Sequence, residues 1–277
     1  CYPCDAIVNN VVSEYNGLGY SGTNSGGSLY ITSSIFRNNK GGLAPNTLDS
    51  ELLPPERETF IIGNLIENNN NYNSPATNST YLSYGNGVVI AGGNNNIIKN
   101  NVIVDHDLYG VILTASMDVN YWPAHGNRVE ENLILSSRKA DIAVSGVSNL
   151  ANCFEGNYFN TSIPPGLQAL NGCENNIIPL SADLSGLWST IARLIYANTG
   201  DFYQDDWRTL PVPEQQENMP IMQEIIDAND NGQYELGFYQ YLPSFRNSVK
   251  PAVNVYEDYK YTLKDVQLPQ EAIKYLN

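Results

Sequence analysis

The fold this sequence predicts is all-β: a right-handed parallel β-helix, a solenoid of about six or more coils. Two observations carry the prediction. A short polar–apolar–apolar element recurs six times at coil-length intervals, and the segments between copies are crowded with asparagine. A third observation agrees: only 16% of residues are charged, against roughly 25% in ordinary globular chains.

The recurring element reads Asn10-Val11-Val12, Ser34-Ile35-Phe36, Asn64-Leu65-Ile66, Asn101-Val102-Ile103, Asn132-Leu133-Ile134 and Asn157-Tyr158-Phe159, with starts 24, 30, 37, 31 and 25 residues apart. The short spacings set the basic coil. The long ones accommodate insertions such as 46–58 and 69–84. A β-rich run precedes most copies, for example Leu29-Tyr30-Ile31-Thr32 and Phe60-Ile61-Ile62. A glycine-led apolar run follows several: Gly42-Leu43, Gly87-Val88-Val89-Ile90 and Gly110-Val111-Ile112-Leu113, with Asp141 in the glycine's place before Ile142. Each coil therefore reads strand, turn, strand, turn, strand. One coil cannot bury its apolar face alone, but stacked coils can. Asparagine suits the corners because it tolerates left-handed backbone and hydrogen-bonds to nearby main chain. A β-sandwich would instead place hairpin turns every 8–12 residues or so, and coil-length recurrence dominates here.

The run Asn101-Val102-Ile103-Val104-Asp105-His106-Asp107-Leu108-Tyr109-Gly110-Val111 resembles the coil of the parallel β-helix repeat proteins. That superfamily is similar to pectate lyases, carbohydrate epimerases and periplasmic copper-associated β-helix proteins. The resemblance covers about residues 5–178 and is nearest to secreted repeat proteins of unknown function, often exported or lipid-anchored. It specifies fold far better than function.

Net charge is −15 and the pI near 4.4, which disfavours nucleic acid and anionic lipid as partners. No run approaches the roughly 18 apolar residues of a membrane span. The chain opens on Cys1, consistent with processing, with a lipid-anchored cysteine or with earlier coils lying upstream. Cys1 and Cys4 form a C-x-x-C pair followed by Asp5, so haem attachment is excluded. With no second C-x-x-C, a four-cysteine zinc site is poorly supported, which leaves a local disulfide or two thiols. Cys153 and Cys173 lie 20 residues apart, close to one coil, so they are expected to bridge adjacent rungs in an oxidising compartment.

The pattern changes after the helical domain, taken as 1–180. Leu184, Leu187, Trp188, Ile191, Leu194 and Ile195 share one helical face. A helix over 181–200 is expected to cap the solenoid and cover its strand edges. Binding to a membrane surface is the alternative, but Arg193 is the helix's only base. Residues 201–277 read as an extended tail rich in Tyr and Pro, packed on the solenoid flank or on a partner.

Within the tail, Asp227, Asn229, Asn231, Gln233 and Glu235, with Gly232 at the sharp turn, resemble an EF-hand-type calcium loop. Position 12 of that loop is Phe238, so another acid would have to complete the shell. Asp105, His106, Asp107 and Tyr109, with Arg128, supply the carboxylate, imidazole and phenol that proton abstraction from a uronate requires. Here a loose likeness to alginate epimerases lacks their proline, and His106 also falls where the repeat places a turn asparagine. A loop cluster, Asp118, Tyr121, Trp122 and His125, offers aromatic faces for sugar or partner contact. The two histidines, His106 and His125, are expected to share a face and could bind a transition metal.

The sequence thus favours an exported, non-catalytic, calcium-stabilised scaffold or interaction protein in a cell-surface or periplasmic assembly. Its partners would be other exported proteins or polysaccharide. The alternative is a lyase or C5-epimerase acting on acidic polysaccharide. A weaker third reading is association with an exported redox protein.

Overall fold

The computed structural model describes residues 1, 3–74, 83–117, 119–145, 151–174 and 266–276. All belong to one compact unit, Cys1–Asp205 with Val266–Asn277. The expected capping helix over 181–200 and the calcium-loop residues Asp227 to Glu235 lie outside the described residues.

The parallel β-helix is what the chain builds. Six coils each contribute one strand to sheets A, B and C. The first coil holds β1 (Ala6–Asn9), β2 (Val12–Glu14) and β3 (Leu18–Thr23), and the second β4 (Gly26–Thr32), β5 (Ile35–Arg37) and β6 (Gly41–Asn46). The third holds β7 (Arg57–Ile62), β8 (Leu65–Glu67) and β9 (Val88–Ala91). The fourth holds β10 (Ile97–Lys99), β11 (Val102–Val104) and β12 (Tyr109–Thr114). A two-stranded hairpin, β13 (Ser116–Met117) and β14 (Tyr121–Trp122), leads to the fifth coil: β15 (Arg128–Glu130), β16 (Leu133–Leu135) and β17 (Ala140–Ser145). The sixth is β18 (Cys153–Glu155), β19 (Tyr158–Phe159) and β20 (Ser162–Ile163). Each sheet is six-stranded and parallel, and coils pair only with their neighbours.

In-register stacking turns the repeat into continuous apolar columns. Val8, Ile31, Ile61, Ile98, Val129 and Phe154 align in sheet A, and Phe36, Ile66, Ile103, Ile134 and Phe159 in sheet B. Sheet C adds Leu43, Val88, Val111 and Ile142, and all of these residues meet in one core. The glycines before that last column are required by close approach. A Cβ at Gly42 would overlap the Gly87 carbonyl, and one at Gly87 the Gly110 carbonyl.

One register differs from the sequence expectation. Val12 pairs with Ile35, so Val11, not Asn10, occupies the corner position of the first coil. Asn10 instead takes the left-handed turn at φ 56°.

At the sixth coil a cap appears that the repeat pattern does not signal. Helix α1 (Leu167–Leu170) places Leu167 in the core, and Cys153–Cys173 ties the following chain to β18. A second disulfide joins Cys1 and Cys4. The outer face of sheet B is apolar (Ile35, Leu65, Val102, Val104) and is covered by residues 266–276, whose Leu268, Ala272 and Tyr275 pack against it. There Lys274 Nζ and Tyr275 Oη donate to Glu67 at 2.9 and 2.7 Å.

Candidate functional site

The polar chemistry of the molecule concentrates at the three corners, where each coil passes through a left-handed residue into a ladder position. At the A-to-B corner the left-handed residues are Ser33, Gly63, Asn100, Glu131 and Gly156. The residue after each is Ser34, Asn64, Asn101, Asn132 and Asn157. Asn101 shows the rule. Its Oδ1 accepts from the Asn64 backbone N–H and side-chain amide at 2.9 and 3.0 Å. Its Nδ2 donates to Asn132 Oδ1 and to the Ile61 carbonyl, both at 2.9 Å. All four hydrogen-bonding sites of the amide are used, so burial carries no desolvation penalty from an unpaired group. Gln168 of α1 supplies the last rung, accepting from Asn157 Nδ2 at 2.8 Å.

The C-to-A corner repeats the pattern through Asn96, Asn127 and Asn152, but Glu56 occupies the next place. Its carboxyl group is sealed from solvent. It accepts from Thr59 Oγ1 and from Asn96 Nδ2, each at 2.8 Å. Burial pushes it up to about 8, opposed only by those hydrogen bonds and the neighbouring Arg57. No sequence pattern flagged Glu56, because it reaches the ladder from the 46–58 insertion.

The B-to-C corner contains the best catalytic candidate. Its rungs are Asn16, Asn39, Asn69, His106, Ser137 and Thr161. Asn39 Nδ2 donates to Asn69 Oδ1 at 2.9 Å, and Asn69 Nδ2 lies 3.4 Å from His106 Nε2. His106 is therefore an asparagine substitute, 1% exposed and facing into the stack. Burial holds its imidazole down at about 3, so it is neutral at physiological pH. Its Nδ1 and the Ser137 hydroxyl are the places where this ladder fails to close. Beyond it Asp141 takes over from the side. Its carboxylate accepts from the Ser137, Asn160 and Thr161 backbone N–H groups at 2.9–3.0 Å.

The expected cluster of Asp105, His106, Asp107, Tyr109 and Arg128 is thus not brought to one place. Asp105 is the left-handed residue, with its side chain in solvent. Arg128 lies on sheet A against Glu130. Tyr109 is buried on sheet C beneath the Lys139 ammonium, 4.9 Å from its ring. The expectation that His106 and His125 share a face is also corrected. His106 is sealed at the B-to-C corner, and His125 is exposed at the C-to-A corner, bridged to Asn94.

What does assemble, outside the B-to-C corner, is an aromatic and cationic strip. Backbone bonds stack Lys40, Gly85, Leu108 and Lys139 on successive coils. Tyr84 Oη donates to Asp107 Oδ2 at 2.8 Å, and Arg138 lies 3.4 Å from Asp107 Oδ1. Desolvation and the Asp107 carboxylate push the Tyr84 phenol up to about 12. Tyr72 meets Tyr84 edge-on at 6.1 Å and carries Lys40 over its ring at 4.8 Å. The Tyr72 residue is 63% exposed and the Arg138 side chain 80%.

The loop candidates Tyr121 and Trp122 form β14. There Asp49 clasps the hairpin, accepting from Asn120 N and Nδ2 at 2.7 Å and from Trp122 Nε1 at 3.1 Å. Tyr121 remains exposed, and Asp118 lies outside the described residues. Among the described residues one cluster has metal-ligand spacing, Glu130 with Cys153 and Cys173, but those two sulfurs are joined to each other. No described helix is long and apolar enough to cross a membrane. No protein-family model, no curated protein and no solved structure matches this chain.

Proposed function

We propose that this chain is an exported, non-catalytic β-helix scaffold whose B-to-C corner binds an acidic polysaccharide without turning it over. The observation that supports the non-catalytic reading is the placement of His106. The imidazole that would move a proton from a uronate occupies a ladder rung, faces the core and is neutral, out of reach of a bound sugar. The two disulfides suit an oxidising compartment and so support export.

Support for saccharide comes from the corner strip. An overall charge of −15 repels an acidic polymer, so binding requires a local concentration of positive charge. Arg138 and Lys139 supply it, and the exposed Tyr72 ring beside them offers an apolar face to a sugar. Calcium, proposed at Asp227, Asn229, Asn231, Gln233 and Glu235, would serve stability and not chemistry.

The test is a panel of uronate and neutral polysaccharides, with calcium or with chelator, scored for both retention and product. The scaffold reading expects salt-sensitive retention of uronate polymer, no product, a loss of about tenfold or more in Arg138→Ala (a charge-assisted contact of roughly 1.5–3 kcal/mol), and a lower melting temperature in chelator. Product from the purified chain would replace this reading with the lyase or epimerase one.

A further inference from the structure

The two disulfides sit in opposite environments. Cys153 is buried within β18, and its partner Cys173 is half-buried. Cys1 is exposed, whereas Cys4 is fixed against the edge of β4: its backbone N–H donates to the Gly26 and Gly27 carbonyls at 2.8 and 2.9 Å. The Gly26 N–H in turn donates to Cys4 Sγ at 3.1 Å. Beside the pair lies a cleft of about 420 Å³, bordered by both cysteines, Tyr20, Ser25 and Glu51.

From this asymmetry we infer that Cys1–Cys4 is an exchangeable disulfide that reacts with a small cationic or neutral thiol, while Cys153–Cys173 is structural. Exchange requires a thiolate to reach one sulfur in line with the bond, and it runs faster when the departing sulfur is stabilised as a thiolate. Both conditions select the same direction. An incoming thiolate attacks Cys1 Sγ from solvent, forming a mixed disulfide there. The Cys1–Cys4 bond breaks and its electron pair leaves on Cys4 Sγ, which already accepts the Gly26 N–H. A second thiolate then attacks the mixed disulfide and releases the Cys1 thiolate. Two small thiols are oxidised to their disulfide, and the two cysteines are reduced and take up the two protons. The Cys1 carbonyl oxygen, 2.9 Å from Cys4 Sγ, can accept the S–H once Cys4 is protonated. Contacts that favour the reduced form make a disulfide easier to reduce. Glu51 on the cleft wall disfavours an anionic thiol.

The experiment treats the native full-length chain with limiting cysteamine, quenches with acid at intervals, and maps adducts and free thiols on all four cysteines by mass spectrometry. The inference expects the Cys1–Cys4 pair to open at least about tenfold faster than Cys153–Cys173, as access and leaving-group stability dictate, with the early cysteamine adduct on Cys1. Equal rates, faster opening of Cys153–Cys173, or an adduct on Cys4 would overturn it. Because the parent chain is used, misfolding of a variant cannot produce either result.

Discussion

The A-to-B and B-to-C corners have the same backbone, a left-handed residue followed by a ladder residue on every coil, yet they differ in how their polar groups are satisfied. At A-to-B the amides of Asn64, Asn101, Asn132 and Asn157 form an unbroken chain of hydrogen bonds that ends on Gln168. At B-to-C the chain ends at Asn69, where His106 and then Ser137 leave buried polar atoms unpaired. The difference teaches that a corner slot selects a shape first. A residue that looks catalytic in sequence can be a rung that fits the slot poorly.

The largest effect expected from this contrast is acid instability centred on His106. Its folded-state value is depressed from 6.5 to about 3, so below pH 6.5 the unfolded chain binds a proton that the folded chain refuses. Stability is lost as pH falls from 6.5 toward 3, by about 4–5 kcal/mol at roughly 1.36 kcal/mol per unit. Denaturant titrations across that range measure it, and a flat profile would contradict the burial.

Glu56, the irregular rung of the third corner, has the opposite sign. Its value is raised from 4.5 to about 8, so its stabilising contribution is complete below pH 4.5 and is lost as pH rises to about 8. Glu56→Gln keeps acceptor and donor but cannot ionise. It is expected to exceed the parent by about 3–5 kcal/mol in unfolding free energy above pH 8. An alkaline-sensitive Glu56→Gln would show that some other group sets that limb.

A smaller but cleaner loss is expected in the regular ladder. Asn101→Ala removes an amide making four hydrogen bonds and should cost about 3 kcal/mol, from orphaned groups at roughly 1–3 kcal/mol each. Thermal melting or equilibrium unfolding reads it directly. Smallest is Tyr275→Phe, which removes one hydrogen bond to Glu67 outside sheet B. It should cost about 1 kcal/mol and increase proteolysis near the C-terminus, leaving the coils intact.

The fold was legible because its period is written in side chains that face the core. Ile31, Ile61 and Ile98, or Leu43, Val88 and Val111, repeat once per coil since each must meet its counterpart above and below. Corner asparagines were equally visible, as their chemistry is needed at every turn. The first coil slipped by one residue because Asn10 and Val11 exchange the expected order, and only strand pairing reveals which is the rung. Gln168 and Glu56 were hidden because they join ladders from outside the repeat, through a short helix and a loop insertion. Asp141 was visible as a departure from glycine, but its role as acceptor for Ser137, Asn160 and Thr161 depends on contacts between coils. The proposed site was the least legible part. Sequence proximity grouped Asp105, His106, Asp107 and Tyr109, whereas the corner turns these neighbours in different directions and gathers Tyr72, Tyr84, Asp107 and Arg138 from separate coils.

The central claim is that His106 is a ladder rung, and the most direct test is thermal melting of His106→Asn beside the parent at pH 7 and pH 4. If the claim holds, asparagine restores the amide chain between Asn69 and Ser137. The variant then melts at or above the parent at pH 7 and clearly above it at pH 4, where the parent has lost stability through the unfolded-state imidazole. A variant that melts below the parent at both pH values would contradict the claim and show that the imidazole makes contacts an amide cannot replace.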